Sequence, residues 1–125
     1  MHRIGHIQIP STNLKKTKKF FETVFGWTFT DHPEMKYTLF HTGGHPNGGF
    51  ELVKKMPKRP QALVYIEVED IDAMLKEIKK AKGKVVEKKA AVGGMGWYVV
   101  FATPDGCHMA LWQSAPKVEQ PVNPG

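Results

Sequence analysis

Apolar and polar residues alternate from Arg3 to Ile9, and this alternation is typical of a β-strand whose two faces meet different surroundings. Ile4, His6 and Gln8 fall on one face of the predicted strand, and the residues between them fall on the other. A strand of this kind carries the hydrogen-bonding groups of a histidine and a glutamine to the same side of a sheet. The first strand is therefore the first candidate source of site residues.

The segment after this strand has the features of an amphipathic helix. Pro10 is expected to end the strand because it has no N–H for the ladder, and Ser11, Thr12 and Asn13 supply side-chain oxygens that can cap a helix. An apolar stripe then recurs at helical spacing, formed by Leu14, Thr17, Phe21 and Val24. Gly26 follows this stripe, at a position where glycine commonly ends a helix.

The same order of elements is predicted twice along the chain. In the first half, further strands are expected at residues 27–31, 37–41 and 49–54. In the second half, a strand at residues 63–68 precedes a helix whose apolar stripe is Ile71, Met74, Leu75, Ile78 and Ala81, with Gly83 at its end. Three more strands are expected at residues 85–88, 96–101 and 108–113. Each half therefore has the order strand, helix and three strands.

This repeat predicts an α+β fold made of two βαβββ modules in a single domain, residues 1–125. The first module covers residues 1–54, a basic linker with two prolines covers 55–61, the second module covers 62–113, and a tail covers 114–125. Each module alone would leave one sheet face uncovered. Pairing them predicts a curved mixed β-sheet, a half-barrel with the helices outside and a concave cavity, which is the default ligand site.

Composition and charge narrow the classes of function. Hydrophobic residues make up 41% of the chain and charged residues 24%, and no apolar run is long enough to cross a membrane. The N-terminus lacks an apolar export segment, and the one cysteine, Cys107, has no internal partner, so a cytoplasmic location is expected. The net charge is +6, and eight lysines fall between the apolar positions of the two predicted helices, which favours solvated helix faces over nucleic-acid binding.

Four stretches of the chain resemble the vicinal oxygen chelate superfamily, the group of glyoxalases, bleomycin resistance proteins and extradiol dioxygenases. They are residues 4–10, 20–27, 65–72 and 101–106, which read IGHIQIP, FFETVFGW, YIEVEDID and FATPDG. The resemblance covers residues 3–113. Each stretch is loose alone, but four in the right order at the right distances are specific to the superfamily, though not to one activity.

The resemblance implies four side chains on the concave face, from the first and last strands of each module, that bind a divalent metal in many members. His6 and Glu51 match this pattern in the first module. In the second module, Tyr65 stands where a histidine or glutamine is usual, and Ala110 stands where a glutamate is usual. A site for Zn, Ni, Mn or Fe with His6 and Glu51 as ligands is therefore one alternative, and the lack of a functional metal is the other.

Two further side chains could complete such a site. Glu67 and His108 share strand faces with the two non-matching positions, but each is displaced by two residues, about 6.5 Å along a strand. Because metal–ligand bonds tolerate little error, these residues would reach the same ion only if a strand register differed from the family pattern.

Aromatic and polar side chains are also candidates for the walls of an organic-ligand pocket. The full set of candidate ligand-binding residues is His6, Gln8, Glu51, Tyr65, Glu67, Trp97, His108 and Trp112. A serine hydrolase is excluded, because the two serines, Ser11 and Ser114, fall at a helix start and at the start of the tail.

Three functions remain open for a protein that resembles the glyoxalase and bleomycin resistance group. The first is a ligand-sequestering protein of the drug-resistance type that binds a small organic molecule in the cavity. The second is a lyase, isomerase or dioxygenase in which a metal polarises a substrate oxygen. The third is a metal-free enzyme with His6 and Glu51 as an acid–base pair. The resemblance also implies a homodimer, and neither a membrane nor a nucleic acid is an expected partner.

Overall fold

In the computed structural model, which describes residues 2–58 and 61–116, eight strands form one mixed sheet that does not close, with two α-helices outside it. The first half contains β1 (Ile4–Ser11), α1 (Leu14–Phe25), β2 (Thr28–His32), β3 (Tyr37–His41) and β4 (Asn47–Leu52). A short 3₁₀ helix, Pro33–Met35, lies between β2 and β3. The second half contains β5 (Leu63–Glu67), α2 (Ile71–Lys80), β6 (Lys84–Val92), β7 (Gly96–Ala102) and β8 (His108–Ser114). The predicted α+β fold of two βαβββ modules is confirmed.

Some expectations about the organisation of the chain stay predictions. They concern the exact limits of the two modules, the linker and the tail. Arg59 and Pro60 of the linker and residues 117–125 of the tail lie outside the described residues. Within the described residues, neither α-helix has the length and apolar character needed to cross a membrane.

The sheet is symmetric about the pairing of β1 with β5. Its strand order is β2-β3-β4-β1-β5-β8-β7-β6, so each half contributes four neighbouring strands and the first strands of the halves meet at the centre. β1 and β5 are antiparallel, whereas β1 with β4 and β5 with β8 are parallel. The opening strands of the two halves therefore join them into one continuous sheet.

The helix ends follow the sequence signals, with one exception. The Asn13 side chain accepts a hydrogen bond from a backbone N–H of the first turn of α1 at 3.1 Å, and Gly26 takes a left-handed φ of 70° at the other end. Asp70 caps α2 in the same way as Asn13 caps α1. After α2, the left-handed residue is Lys82, with φ 74°. Gly83 is required for another reason, because a β-carbon there would collide with the last turn of α2.

Several strands differ in length from the predicted ones. β1 continues through Pro10, which was expected to end it, to Ser11. At this point β1 pairs only with β4, so one side of its backbone needs no donor and proline is tolerated. β4 begins and ends two residues earlier than predicted, and β6 extends well beyond residues 85–88.

A bulge in β1 changes which residues share a face. Ile4 pairs with Ile66 and His6 pairs with Tyr65, so the register shifts between the two pairs. Because neighbouring residues on β5 point to opposite faces, Ile4 and His6 do so too. The prediction that Ile4 shares the face of His6 and Gln8 is therefore wrong, since the extra residue of the bulge interrupts the alternation.

The helices cover the outer face of the sheet and leave the concave face to other side chains. The cluster beneath α2 consists of Val68, Ile71, Val99, Phe101 and Leu111. Beneath α1, the ring of Phe21 lies 4.7 Å from that of Trp27 and 5.2 Å from that of Phe50 between centroids. A separate cluster of Tyr65, Val100 and Ala110 lies on the concave face. Packing on the outer face thus fixes the sheet without filling the cavity.

Gly48 lies where neighbouring strands leave no room for a side chain. A β-carbon at this position would meet the Ile7 carbonyl oxygen and the Phe40 ring. Gly48→Ala is therefore expected to lower the free energy of unfolding by more than about 2 kcal/mol, as measured by urea denaturation. Gly44→Ala is the control, since a β-carbon there meets open space, and it should change stability by less than about 0.5 kcal/mol. Equal stability of the two variants would contradict this packing.

Candidate ligand-binding cavity

The concave face of the sheet encloses a cavity of about 730 Å³ that both halves of the chain line. This volume lies in the range of pockets that hold drug-sized molecules. Its aromatic walls are Tyr37, Tyr65, Tyr98 and Trp112. Its polar and charged side chains include His6, Gln8, Glu51, Glu67 and Glu87. The cavity therefore combines apolar contact area with a small number of convergent polar groups.

Two sets of hydrogen bonds order the polar side chains at the centre of the cavity. A hydrogen bond of 2.8 Å joins His6 Nε2 to the hydroxyl of Tyr37. Gln8 Nε2 donates to Glu51 Oε2 at 2.8 Å, and the Tyr65 hydroxyl donates to Gln8 Oε1 at 3.2 Å. The alternation of β1 places His6 and Gln8 side by side on the concave face, as predicted. Each therefore has its own partner, and the His6 ring is oriented by a tyrosine.

Burial sets the protonation states of these groups. It lowers the pKa of His6 below the ordinary value of 6.5, so the ring is neutral at neutral pH. Burial also raises the pKa of the Tyr37 and Tyr65 hydroxyls, and the neighbouring tyrosines and the negative charge of Glu51 add to this effect. Both hydroxyls stay protonated, so the centre of the cavity presents neutral hydrogen-bonding groups beside a carboxylate.

Most of the residues predicted to contact a ligand do line the cavity. They are His6, Gln8, Glu51, Tyr65, Glu67 and Trp112. Trp97 does not, because it lies on the outer face, packs on the cluster beneath α2 and has Lys89 Nζ 5.6 Å from its ring centroid. His108 does not either, because it is exposed at the start of β8, two residues before the buried Ala110. The structure therefore corrects the expected placement of both residues.

Sequence reasoning missed several lining residues, and three that bear on the chemistry of the cavity are Tyr37, Tyr98 and Glu87. Tyr98 is next to Trp97 on β7, so the alternation of that strand could have shown that only one of the two faces the cavity. Tyr37 gave no comparable signal, because its position depends on the pairing of β3 with β4, which sets it opposite Glu51. Glu87 lies within the strand predicted at residues 85–88, but the register of β6 shifts on both sides of it, so simple alternation did not show its face.

The strand register shows which residues of the two halves are equivalent. Across the central pair, His6 lies opposite Tyr65 and Gln8 lies opposite Leu63. The helices α1 and α2 begin 57 residues apart, at Leu14 and Ile71, and a twofold axis between Ile7 and Val64 exchanges β1 with β5 at the same offset. It therefore makes Leu63 the equivalent of His6, and Tyr65 the equivalent of Gln8.

The outer pairs extend this equivalence to the last strands of the halves. Gln8 pairs with Gly49 on β4, and its equivalent Tyr65 pairs with Ala110 on β8. Ala110 is thus the equivalent of Gly49. Two residues further along each strand, Trp112 is the equivalent of Glu51. The second module carries Leu63 and Trp112 at the positions that the sequence alone had placed at Tyr65 and Ala110.

This corrected set of four side chains does not fit a catalytic metal. His6 and Glu51 could each donate one atom, but Leu63 and Trp112 offer no ligand for a divalent ion, and a catalytic site needs about three protein ligands. In residues 2–58 and 61–116, no group of three or more His, Cys, Asp or Glu side chains is placed to hold one ion.

Glu67 and His108, the substitute ligands that the sequence suggested, do not complete a metal site. Glu67 Oε2 forms an ion pair with Arg3 Nε at 2.7 Å. Its carboxylate is therefore directed to the edge of the cavity and already has a cationic partner. His108 lies outside the cavity.

The lowered pKa of His6 makes the stability of the fold depend on pH. Because the unfolded chain binds a proton at His6 more readily, the free energy of unfolding is retained above pH 6.5 and falls as pH drops through the lower pKa of the folded state. His6→Gln should remove this contribution, so that its stability changes less than that of the wild type between about pH 8 and about pH 5. Denaturation with urea at each pH measures the difference.

The matched control is His108→Gln, which removes an exposed histidine outside the cavity. This variant should follow the wild-type stability over the same pH range. Loss of stability in acid that is the same for wild type and His6→Gln would contradict the inferred protonation of His6.

Comparisons with known proteins agree with this architecture. DnrV of Streptomyces peucetius, an anthracycline biosynthesis protein, is 29% identical in an alignment 122 positions long, and the match covers 82% of this chain and 44% of DnrV. CFP32 of Mycobacterium tuberculosis (strain CDC 1551 / Oshkosh) is 25% identical in an alignment 115 positions long, and the match covers 86% of this chain and 44% of CFP32. The chain thus spans less than half the length of either relative.

A solved structure shares the fold at lower sequence identity. The crystal structure of methylmalonyl-CoA epimerase from Mycobacterium tuberculosis has a TM-score of 0.70 at 15% identity, and the match covers 91% of this chain and 89% of that chain. The family model of the Glyoxalase/Bleomycin resistance protein/Dioxygenase superfamily matches residues 3–111. With the two-module sheet and its concave cavity, this match over most of the chain shows that the protein belongs to the glyoxalase/bleomycin resistance protein/dioxygenase superfamily.

Proposed function

We propose that this protein binds a small organic molecule with an aromatic part in the concave cavity, and that it does so without a divalent metal. The observation that carries the proposal is the pair Leu63 and Trp112 at the positions equivalent to His6 and Glu51. One half of a metal site is thereby replaced with apolar contact area. The remaining polar groups of the first half are hydrogen-bonded to one another rather than arranged around an ion.

The walls of the cavity support a ligand with a flat apolar part. Tyr65 and Tyr98 have ring centroids 6.4 Å apart, and with Trp112 they form one aromatic side of the cavity. Aromatic rings bury large contact areas and favour offset or edge contacts with other rings. DnrV is named for its part in the biosynthesis of anthracyclines, which are polycyclic aromatic compounds, and this relationship is consistent with such a ligand.

Polar groups at the cavity centre would orient the ligand. Gln8 and the hydroxyls of Tyr37 and Tyr65 offer donors and acceptors that stay neutral near pH 7. A ligand oxygen or nitrogen placed between them would exchange hydrogen bonds with groups that are already held in position. Because no reacting atom or leaving group is defined by this arrangement, the proposal is one of binding and carries no catalytic step.

Binding of a neutral aromatic probe tests the proposal. In the presence of EDTA, naphthylmethanol is expected to bind the protein in isothermal titration calorimetry, and Trp112→Ala should weaken this binding by about tenfold or more, since it removes one aromatic wall. Trp97→Ala is the matched control, because it removes the same side chain from the outer face and should leave the affinity unchanged. Binding that requires added metal, or that both variants weaken equally, would contradict the proposal.

A double variant that adds the two missing metal ligands tests the register assignment. Wild-type protein purified without a chelator or an affinity tag is expected to contain no Zn, Ni, Mn or Fe. The double variant Leu63→His with Trp112→Glu should gain tight binding of one Zn²⁺ per chain, because it completes a four-ligand set with His6 and Glu51. Titration with Zn²⁺ under competition from a metal indicator measures the affinity.

The control differs from that variant only in the position of the added histidine. Tyr65→His with Trp112→Glu places it two residues further along β5, and its affinity for Zn²⁺ should be at least about tenfold lower. Equal affinities of the two variants would contradict the register assignment. Near-stoichiometric metal in the wild type that His6→Ala and Glu51→Ala both lose would favour the metal-dependent lyase, isomerase or dioxygenase instead.

A homodimer, which the family resemblance implies, stays a prediction. The exposed side chains of Phe20, Val24 and Phe25 on α1 offer an apolar surface. They are compatible with a second copy of the chain but do not identify it.

A further inference from the structure

The net charge of the cavity lining is opposite in sign to the net charge of the whole chain. The chain as a whole carries a net charge of +6. Among the described residues, however, the carboxylates that line the cavity are Glu51, Glu67 and Glu87, and no lysine or arginine is part of the lining. Of the two histidines in the lining, His6 is neutral near pH 7 because burial lowers its pKa. The cavity is therefore a locally negative site on a basic protein.

Two of these carboxylates have no cationic partner among the described residues. Glu67 is paired with Arg3 at the edge of the cavity, which neutralises its charge. Glu51 accepts a hydrogen bond from the neutral Gln8 side chain, and Glu87 forms no ion pair with any described residue. The negative charges of Glu51 and Glu87 thus remain available to a ligand.

The field of these carboxylates reaches the aromatic walls. Both raise the pKa of the Tyr65 hydroxyl in addition to the effect of burial, and Glu51 has the same effect on Tyr37. The π faces of Tyr37, Tyr65, Tyr98 and Trp112 are themselves negative and attract organic cations. The carboxylates and the ring faces therefore both favour a positively charged group in the cavity.

The lysines of the helices do not reverse this preference. They lie on α1 and α2, on the outer side of the sheet, and their field must cross the sheet or pass through solvent. At physiological ionic strength, charges farther apart than about 8 Å are largely screened. The nearby carboxylates consequently dominate the potential inside the cavity.

We infer that the cavity selects an organic cation, an aromatic molecule with a protonated amine or another fixed positive charge, whose ring packs on Tyr65, Tyr98 and Trp112 while its cationic group faces Glu51 and Glu87. This inference rests on the proposed function and adds the charge of the ligand to it. An anionic ligand of the same size would have to place its charge beside two carboxylates without a counter-ion.

Three probes of nearly equal size and different charge test the inference. Titration calorimetry in EDTA at neutral pH compares protonated naphthylmethylamine, neutral naphthylmethanol and anionic naphthoate. The amine is expected to bind at least about tenfold more tightly than the alcohol, equivalent to about 1.4 kcal/mol, and naphthoate should bind more weakly than either. Added salt should reduce the preference for the amine and leave binding of the alcohol nearly unchanged.

Charge-neutral variants identify the groups responsible. Glu51→Gln and Glu87→Gln should each reduce the ratio of amine to alcohol affinity, and the double variant should bring the ratio close to one, while the alcohol still binds. Glu22→Gln, which changes the net charge by the same amount on exposed α1, is the control and should keep the ratio of the wild type.

The outcomes separate this inference from the proposed function. Binding of the alcohol that depends on Trp112, together with equal or tighter binding of naphthoate, would overturn the cation preference and leave the aromatic site intact. The same result would follow if the double glutamine variant kept the full preference for the amine. Failure of all three probes to bind would overturn both.

Discussion

The antiparallel pairing of β1 with β5 is the contact on which the rest of the structure depends. It joins two four-stranded halves into one sheet, and its register decides which side chains of the two halves face each other in the cavity. Because side chains alternate along a strand, a shift of β1 by one residue would turn His6 and Gln8 to the outer face while Leu63 stayed on the concave face. The site and the core of the protein are therefore specified by the same few hydrogen bonds.

Positively and negatively charged side chains lie on different faces of the sheet. Lysines of the helices keep the outer surface solvated, and the concave face contains carboxylates, neutral hydrogen-bonding groups and aromatic rings. The sheet lies between the helix lysines and the groups of the concave face and keeps them apart. Net charge describes the solubility of such a protein well but describes its ligand poorly, since a ligand inside the cavity interacts chiefly with the nearest groups.

The sequence predicted the fold more completely than the site, and the reason is physical. Helix caps such as Asn13 and Gly26 and the alternation in β1 act over a few neighbouring residues, so the chain itself shows them. The identity of the residue equivalent to His6 depends instead on pairing between segments that are 57 residues apart. One extra residue in β1 also reversed the expected face of Ile4. The wrong equivalents of His6 and Glu51 thus came from long-range register, which local patterns do not contain.

A symmetric sheet with unlike residues at its equivalent positions has a stereochemical consequence. If both modules carried the same groups, a flat molecule could enter the cavity in two orientations of equal energy. Here the equivalents of His6, Gln8 and Glu51 are Leu63, Tyr65 and Trp112, so rotation of a bound molecule about the twofold axis would exchange contact with an imidazole and a carboxylate for contact with an aliphatic chain and an indole ring. The divergence of the two modules therefore gives the cavity a polarity of its own, and the two ends of a ligand are distinguished from each other.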